Sequence, residues 1–335
     1  MALDARLQMG DLVERVLRGD ARAIGRAISA AENDAPGNEE LLGALYRRTG
    51  RAYVLGMTGP PGAGKSSLVD GLVRLLRARG LTVGVLAVDP SSPFTGGAIL
   101  GDRIRMQAHA YDRGVYIRSM SARGHLGGLA EATNKAAHVL DAAGKDVVIV
   151  ETVGVGQSEL EIAGTADTTV VVLTPASGDM VQMLKAGILE VADLFVVNKA
   201  DMEGAGRLAR DLRTTLNMGE HGEWIQPIVQ TQATASVGLD TLWAEAERHQ
   251  AFLWKGDRLR ERRRARLRVE ILDLVTLRVR ARLLDDMRGR GELEGLLDQV
   301  GARELDPYAA ANTIMRSGTL VEAGVGSWES IGDRR

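Results

Sequence analysis

Residues 59–66 of the chain read GPPGAGKS, between the apolar run AYVLGM at residues 52–57 and the amphipathic stretch SLVDGLVRLLRARG at residues 67–80. They match the pattern G-x-x-x-x-G-K-[ST], whose glycines expose backbone N–H groups and whose lysine supplies a mobile positive charge. Such a loop between a strand and a helix binds phosphate groups, because the positive end of the helix faces them. The stretch therefore predicts an α/β fold of the P-loop NTPase type.

The residues of this loop have distinct expected roles. Backbone N–H groups from Gly62 to Lys65 would surround the β-phosphate, and the Lys65 ammonium would reach the β- and γ-phosphates. The Ser66 hydroxyl would bind Mg²⁺. The nucleotide-binding residues predicted in this loop are Gly59, Gly62, Ala63, Gly64, Lys65, Ser66 and Ser67.

Seven short apolar runs share the composition of buried strands. They are AYVLGM, TVGVLAV, GVYI, DVVIVE, TTVVVLT, LFVVN and IQPIVQT. They are rich in valine and isoleucine and mostly continuous, which is typical of strands buried on both faces of a parallel sheet. Amphipathic segments lie between them, so the chain predicts repeated βαβ units in a mostly parallel sheet.

Helical patterns flank this α/β core on both sides. Residues 1–50 predict a leader of three helices, the second capped by Asp20, and residues 51–254 form the core. Residues 255–335 predict a helical tail. Its basic run RLRERRRARLR predicts a solvated helix face and not a nucleic-acid arm, because the net charge of the whole chain is −2.

Composition narrows the class of protein. The chain of 335 residues is 45% hydrophobic and 26% charged, as in globular proteins, and has no cysteine for disulfides, thiolate metal sites or cysteine nucleophiles. Its first residues include acidic side chains and no long apolar stretch, so they do not predict a signal peptide. No apolar run is long enough to span a bilayer. We expect a cytoplasmic protein without a membrane or nucleic-acid partner.

The run FVVNKAD at residues 195–201 predicts which base is bound. The Asp201 carboxylate can accept hydrogen bonds from both N1–H and the exocyclic amine of guanine, whereas adenine offers neither donor. Asn198 can bond the base edge, and the stem of Lys199 can lie over its ring. Downstream of a phosphate-binding loop, this pattern predicts GTP or GDP as the nucleotide.

The run DVVIVETVGVGQSE at residues 146–159 predicts a strand that ends at the γ-phosphate. Glu151 at its end can hold Mg²⁺ directly or through water, and Gly154 follows where a loop could meet the phosphate. Val155 stands where Ras-like proteins place a water-orienting glutamine, and Gln157 cannot be assumed to replace it. We therefore expect slow intrinsic hydrolysis.

The run AVDPSSPFTGGAILGDRIRM at residues 87–106 lies between the phosphate-binding loop and the run at residues 146–159. Asp89 ends a strand and could support the metal shell, and Asp102 could contact Mg²⁺ or the attacking water. The loop rich in proline, serine and glycine between them could change order with nucleotide state, as switch segments do. An ordinary turn aspartate is the alternative for each.

With these residues assembled, the chain resembles the MeaB/ArgK family of GTPases, which are chaperones of adenosylcobalamin-dependent acyl-CoA mutases. The resemblance covers about residues 50–250, and its most specific strings are VDPSS…TGGAILGD and ETVGVGQSE. It implies a SIMIBI-class G domain, a helical N-terminal extension and a C-terminal helical arm for homodimerisation. It also implies that the phosphates and Mg²⁺ are served by Lys65, Ser66, Asp89, Asp102 and Glu151, with Lys65, Asp102 and Glu151 in catalysis.

The resemblance carries two further expectations and one departure. The segment PASGDMVQMLKAG, around Asp179 and Lys185, would be a switch loop that communicates with the mutase, and the cobalamin adenosyltransferase is a further candidate partner. The segment that closes over guanine often reads T-S-A, and here it reads QTQAT. Ala233 fits the usual alanine, whereas Gln232 leaves the base contact there unassigned.

Two other functions compete with this interpretation. A metal-delivery GTPase for hydrogenase or urease needs a metal-binding patch, but the chain has no cysteine, and its five histidines are scattered and predicted to be surface or packing residues. They are His109, His125, His138, His221 and His249. A kinase or ATPase of amino-acid transport is the other alternative, and Asp201 argues against it because adenine offers that carboxylate no donors.

Overall fold

The structure is a computed structural model that describes residues 2–33, 35–90, 109, 111–122, 128–152, 162–177, 188–219, 222–290 and 292–317. The chain forms two compact units, Met1–Arg266 and Leu267–Arg335. No helix in the described ranges is long and apolar enough to cross a bilayer.

A parallel sheet is the centre of the first unit. Its strands within the described residues are β1 (Tyr53–Thr58), β2 (Val83–Pro90), β3 (Val115–Ala122), β4 (Val147–Thr152), β5 (Thr168–Leu173), β6 (Leu194–Val197) and β7 (Ile228–Gln230). Their spatial order is β3-β2-β4-β1-β5-β6-β7, and all neighbours pair in parallel. Every residue of β4 and β5 is buried, as a strand covered on both faces requires. The predicted α/β class and its seven strands are confirmed.

Helices cover both faces of this sheet. Among the described residues, the helices that lie wholly within the first unit are α1 (Ala2–Leu17), α2 (Ala21–Glu32), α3 (Asn38–Tyr46), α4 (Lys65–Ala78), α5 (Gly128–Ala142), α6 (Ile188–Val191), α7 (Ala205–Met218) and α8 (Leu239–Trp254). On one face α4 and α8 pack on residues such as Leu55 and Ile149. On the other, α5 and the leader pack on residues such as Val148 and Val150.

The leader is part of this packing. Asp20 caps α2, since its Oδ1 accepts a hydrogen bond from Ala23 N at 2.7 Å, as the sequence predicts. The apolar face of α2 carries Ile24 and Ile28, which are buried against α5 and the sheet. The three helices therefore cover the sheet face opposite α4.

The next helix along the chain, α9 (Arg258–Arg290), begins with the basic run. Arg263 and Arg266 both bind the Asp167 carboxylate, at 2.6 Å and 2.5 Å, and Arg262 binds Asp193 at 2.8 Å. The prediction of a solvated helix face is therefore wrong for these three arginines. Asp167 is 1% exposed, and a carboxylate buried so deeply needs charged partners.

The second unit contains the rest of α9, together with α10 (Glu292–Gly301) and α11 (Pro307–Ser317), which contact each other. Large apolar side chains of this part of α9 are more than half exposed. They are Val269, Ile271, Leu272 and Val275.

Candidate nucleotide-binding site

The carboxyl ends of the parallel strands bring the predicted site residues to one edge of the sheet. Gly59 follows β1 directly, Glu151 lies at the end of β4, and Asn198 follows β6. Ala233 begins a 3-10 turn shortly after β7. Ligands of open α/β sheets bind at this edge.

The phosphate-binding loop is shaped by glycines that no other residue could replace without strain. Gly59 has φ 134°, and a Cβ there would lie 2.1 Å from the Val172 carbonyl oxygen of β5. Gly64 has φ 88°, and its Cβ would lie 2.4 Å from Nδ2 of Asn198. The loop therefore packs closely on β5 and on Asn198. Gly62 also has a positive φ, 74°, which favours glycine.

Lys65 is the first residue of α4 and is held inside the loop. Its Nζ donates to the carbonyl oxygens of Gly59 at 2.7 Å and Pro60 at 3.0 Å, and the side chain is 5% exposed. The ammonium group is thus held within the loop by two backbone carbonyls. The N-terminus of a helix such as α4, which has 14 residues, also favours an anion.

Ser66 and Glu151 form a direct contact across the site. Ser66 Oγ donates to Oε1 of Glu151 at 2.7 Å, and Glu151 is 4% exposed. The hydroxyl and carboxylate oxygens are the ligand type that Mg²⁺ prefers. Ser67 follows in the first turn of α4 and is half-buried.

Asn198 connects the phosphate-binding loop to the segment after β7. Its Nδ2 donates to the Ala63 carbonyl oxygen at 2.9 Å, and its Oδ1 accepts from Thr231 Oγ1 at 3.0 Å and Ala233 N at 3.2 Å. The side chain is 2% exposed. The sequence predicts a base contact for Asn198. The amide has a second Nδ2 hydrogen, which the Ala63 contact does not use.

Thr231 is a further residue of this site, outside the set that the sequence motifs predict. It is fully buried, and it orients the Asn198 amide by donating to its oxygen. Its position directly after β7, at the same sheet edge as Asn198, is a signal that the sequence contains. The following Gln232 exchanges backbone hydrogen bonds with Val237, and these bonds close the loop that holds Ala233.

Lys199 and Asp201, the residues predicted to recognise guanine, lie in a turn after β6. Lys199 has φ 56°, in the left-handed region, and its carbonyl oxygen accepts from Met202 N at 2.9 Å. Asp201 is exposed in this turn, so its carboxylate is accessible to a base.

Several predicted residues lie outside the described part of the chain. Asp89 is within β2, but its side chain is not described. Asp102, the residues 153–161 with Gly154, Val155 and Gln157, and the residues 178–187 with Asp179 and Lys185 are not described either.

Three histidines have the packing environments that the sequence predicts. His249 is 1% exposed, and burial lowers its pKa to about 4. His138 packs edge-on against Tyr46, and burial lowers its pKa as well. His109 bonds Asp70 at 2.9 Å. Within the described residues, no group of three or more histidine and carboxylate side chains could hold a metal ion.

Comparisons with known proteins identify the family and several relatives of this chain. The family model described as "Methylmalonyl Co-A mutase-associated GTPase MeaB" matches residues 24–288. A Pyrococcus abyssi protein named as a GTPase is 49% identical over 311 residues, which cover 91% of this chain and 95% of that protein. The mouse mitochondrial protein named methylmalonic aciduria type A homolog is 30% identical over 321 residues, covering 90% of this chain and 77% of that protein.

A solved structure has the same fold over nearly the whole chain. The crystal structure of an LAO/AO transport system kinase superposes with a TM-score of 0.70 and 26% identity. The match covers 93% of this chain and 97% of that one.

Proposed function

Because the chain belongs to the MeaB family of methylmalonyl-CoA mutase-associated GTPases, we propose that it hydrolyses GTP to GDP and phosphate as the chaperone of an adenosylcobalamin-dependent acyl-CoA mutase. In this proposal, nucleotide state controls cofactor loading and protects or reactivates the mutase. We further propose that the protein acts in the cytoplasm as a homodimer, with the cobalamin adenosyltransferase as a further partner.

The observation that carries the nucleotide part of the proposal is the position of Asn198. One buried side chain bonds Ala63 in the phosphate-binding loop and Ala233 in the loop after β7. A phosphate site and a base site joined in this way suit one nucleotide that spans both. Asp201, exposed in the adjoining turn, supplies the carboxylate that selects guanine.

The residues around Ser66 fit a magnesium ion. Ser66 Oγ and Glu151 Oε1 lie 2.7 Å apart, and both are hard oxygen donors. These two residues would hold the ion, and the sequence adds Asp89 and Asp102 as proposed ligands. When bound, Mg²⁺ neutralises charge on the phosphate oxygens.

The chain's own residues bind and orient the phosphates. Backbone N–H groups at the start of α4 surround the β-phosphate, and the Lys65 ammonium stabilises charge on the leaving phosphate oxygens. Two loop carbonyls hold that ammonium inside the loop, next to where the phosphates would lie.

GTP turnover of a Lys65→Ala variant tests this part of the proposal. The variant should remain folded and lose at least about a hundredfold in turnover, because it lacks the main positive charge at the phosphates. Lys255→Ala, at an exposed lysine, is the matched control and should keep wild-type turnover. Turnover of Lys65→Ala within about threefold of wild type, under about 1 kcal/mol in barrier, would contradict the proposal.

The mutase part of the proposal rests on family membership. The matching family is described as mutase-associated, and the match extends through most of the chain. The solved relative is named a transport system kinase, and for this chain the guanine-selecting Asp201 favours a GTPase.

A further inference from the structure

Two buried threonine hydroxyl groups join β1 to β4 at the edge of the sheet where the nucleotide site lies. Thr152 Oγ1 donates to Thr58 Oγ1 at 3.0 Å, and the side chains are 3% and 0% exposed. Thr58 immediately precedes Gly59, and Thr152 immediately follows Glu151. The hydrogen bond therefore links positions that are each one residue away from the site.

The hydroxyl pair extends the connection between the two strands past their backbone pairing. The register of β1 with β4 runs to Met57 and Glu151. At Gly59, where φ is 134°, β1 has already turned into the phosphate-binding loop. The threonine pair lies between these two points, and it connects β1 to β4 where the two strands begin to diverge.

The faces of β4 explain why this pair bears on Glu151. Side chains alternate between the two faces along a strand. Ile149 packs with α4 and α8, whereas Val150 packs with α5 and the leader. The same alternation places Glu151 on the α4 face and Thr152 on the opposite face.

The end of β4 is thus held from both faces. On the α4 face, Ser66 Oγ donates to the Glu151 carboxylate at 2.7 Å. On the opposite face, Thr152 bonds Thr58. The first contact uses the hydroxyl that the proposed function gives to Mg²⁺, and the second uses no site residue.

We propose that the Thr58–Thr152 hydrogen bond positions the Glu151 carboxylate when the Ser66 hydroxyl serves Mg²⁺, an inference that rests on the proposed GTPase function. The threonine pair remains in place on the opposite face while the Ser66–Glu151 contact changes. Both hydroxyls are buried, so water does not compete for their bond. They act through Glu151 and are positioning residues.

The test compares hydroxyl and isosteric methyl at the same place. Thr152→Val removes the donor and keeps the shape, and Thr152→Ser keeps the hydroxyl. We expect Thr152→Val to raise the Mg²⁺ concentration for half-maximal GTP hydrolysis by about three- to tenfold, the range expected from one buried hydrogen bond. In a binding titration, Mg²⁺ should strengthen GDP binding less than in wild type, and GDP affinity without Mg²⁺ should not change.

Matched variants separate positioning from stability. Thr165→Val is the control, because Thr165 is also buried and bonds a side chain, Asn134 Oδ1, at 2.6 Å, but belongs to no part of the site. It should lower the melting temperature without changing the Mg²⁺ requirement. Thr58→Val removes the same hydrogen bond as Thr152→Val, so it should give the same Mg²⁺ shift, and the double variant should add little.

The outcomes distinguish this inference from the function on which it rests. If wild type shows Mg²⁺-dependent GTP hydrolysis and neither valine variant shifts the Mg²⁺ requirement, the positioning role is refuted while the GTPase stands. The positioning role is also refuted if Thr152→Ser does not keep the Mg²⁺ requirement of wild type. If Thr152→Val does not fold, Thr58→Val decides in its place. If wild type binds no guanine nucleotide, the proposed function and this inference both fail.

Discussion

At the scale of single residues, Asn198 and Asp201 have different proposed roles in base recognition. Asn198 is buried, and its amide oxygen accepts hydrogen bonds from Thr231 and Ala233. Its main contribution is therefore to hold the phosphate-binding loop and the loop after β7 together. Asp201 is exposed, and its carboxylate can face the donors of a base directly. Selectivity for guanine is therefore expected to depend on Asp201 more than on Asn198.

Asp201→Asn should weaken GTP binding and improve the binding of xanthosine triphosphate. The substitution replaces one acceptor oxygen with an amide donor, which suits the second carbonyl of xanthine better than the amine of guanine. Titration of both nucleotides measures the switch, and Glu203→Gln, at an exposed carboxylate in the same region, is the control. Unchanged GTP affinity in Asp201→Asn would refute the assignment.

At the scale of elements, arginines fix the start of α9 to the first unit. Asp167 immediately precedes β5. Its backbone N–H donates to the Val54 carbonyl oxygen of β1, and its carboxylate accepts from Val54 N. Burial raises the pKa of the Asp167 carboxyl, but the hydrogen bonds and charges of Arg263 and Arg266 outweigh burial and leave that pKa lowered. The carboxylate therefore stays ionised and paired at neutral pH.

Asp167→Asn should destabilise the protein by about 3–5 kcal/mol, because it leaves two arginines beside a group that can no longer balance their charge. Urea unfolding followed by circular dichroism measures the loss. Asp257→Asn is the control, since its ion pair with Arg260 is exposed on both sides and should contribute under about 1 kcal/mol. An Asp167→Asn protein as stable as this control would show that the cluster does not hold α9.

Elements with local signals could be predicted from the sequence, and contacts distant along the chain could not. The continuous Val and Ile run of β4 indicates burial on both faces by its composition, and the Gly59–Ser66 pattern fixes the strand, loop and helix around it. Arg263 pairs with Asp167, which is 96 residues away, so its basic run reads locally like a solvated face. The Thr58–Thr152 pair, 94 residues apart, likewise becomes visible only in the folded sheet.

At the scale of the whole molecule, the second unit is expected to form a homodimer. Val269, Ile271, Leu272 and Val275 are each more than half exposed, and apolar surface of this kind is usually covered by another element or chain. The family resemblance implies that a second copy of this chain covers these apolar side chains. Sedimentation of a shortened protein that ends at Arg266, where the first compact unit ends, should show a monomer. A dimer that survives this truncation would place the interface elsewhere.

We expect the intact protein to associate with a mutase in a way that depends on the bound nucleotide. Nucleotide state can bias a partner's conformation only through contacts that differ between states. Here those contacts are proposed for the loops from Asp89 to Asp102 and from Asp179 to Lys185. Residues 91–108 and 178–187 lie outside the described part of the chain. If GTP strengthens mutase binding by about tenfold, the mutase must strengthen GTP binding by the same factor.

The decisive experiment mixes the full chain with acyl-CoA mutases from the same cell and follows GTP turnover together with the loss of mutase activity. We expect a complex, faster hydrolysis within it, and slower inactivation of the mutase when GTP is present. The Asp201→Asn protein is the matched control, because xanthosine triphosphate should restore its effect on the mutase where GTP does not. That exchange would show that the effect passes through this nucleotide site. If no mutase binds, changes hydrolysis or is protected, the chaperone role is refuted, whereas a GTPase with another client would still be consistent with the nucleotide site.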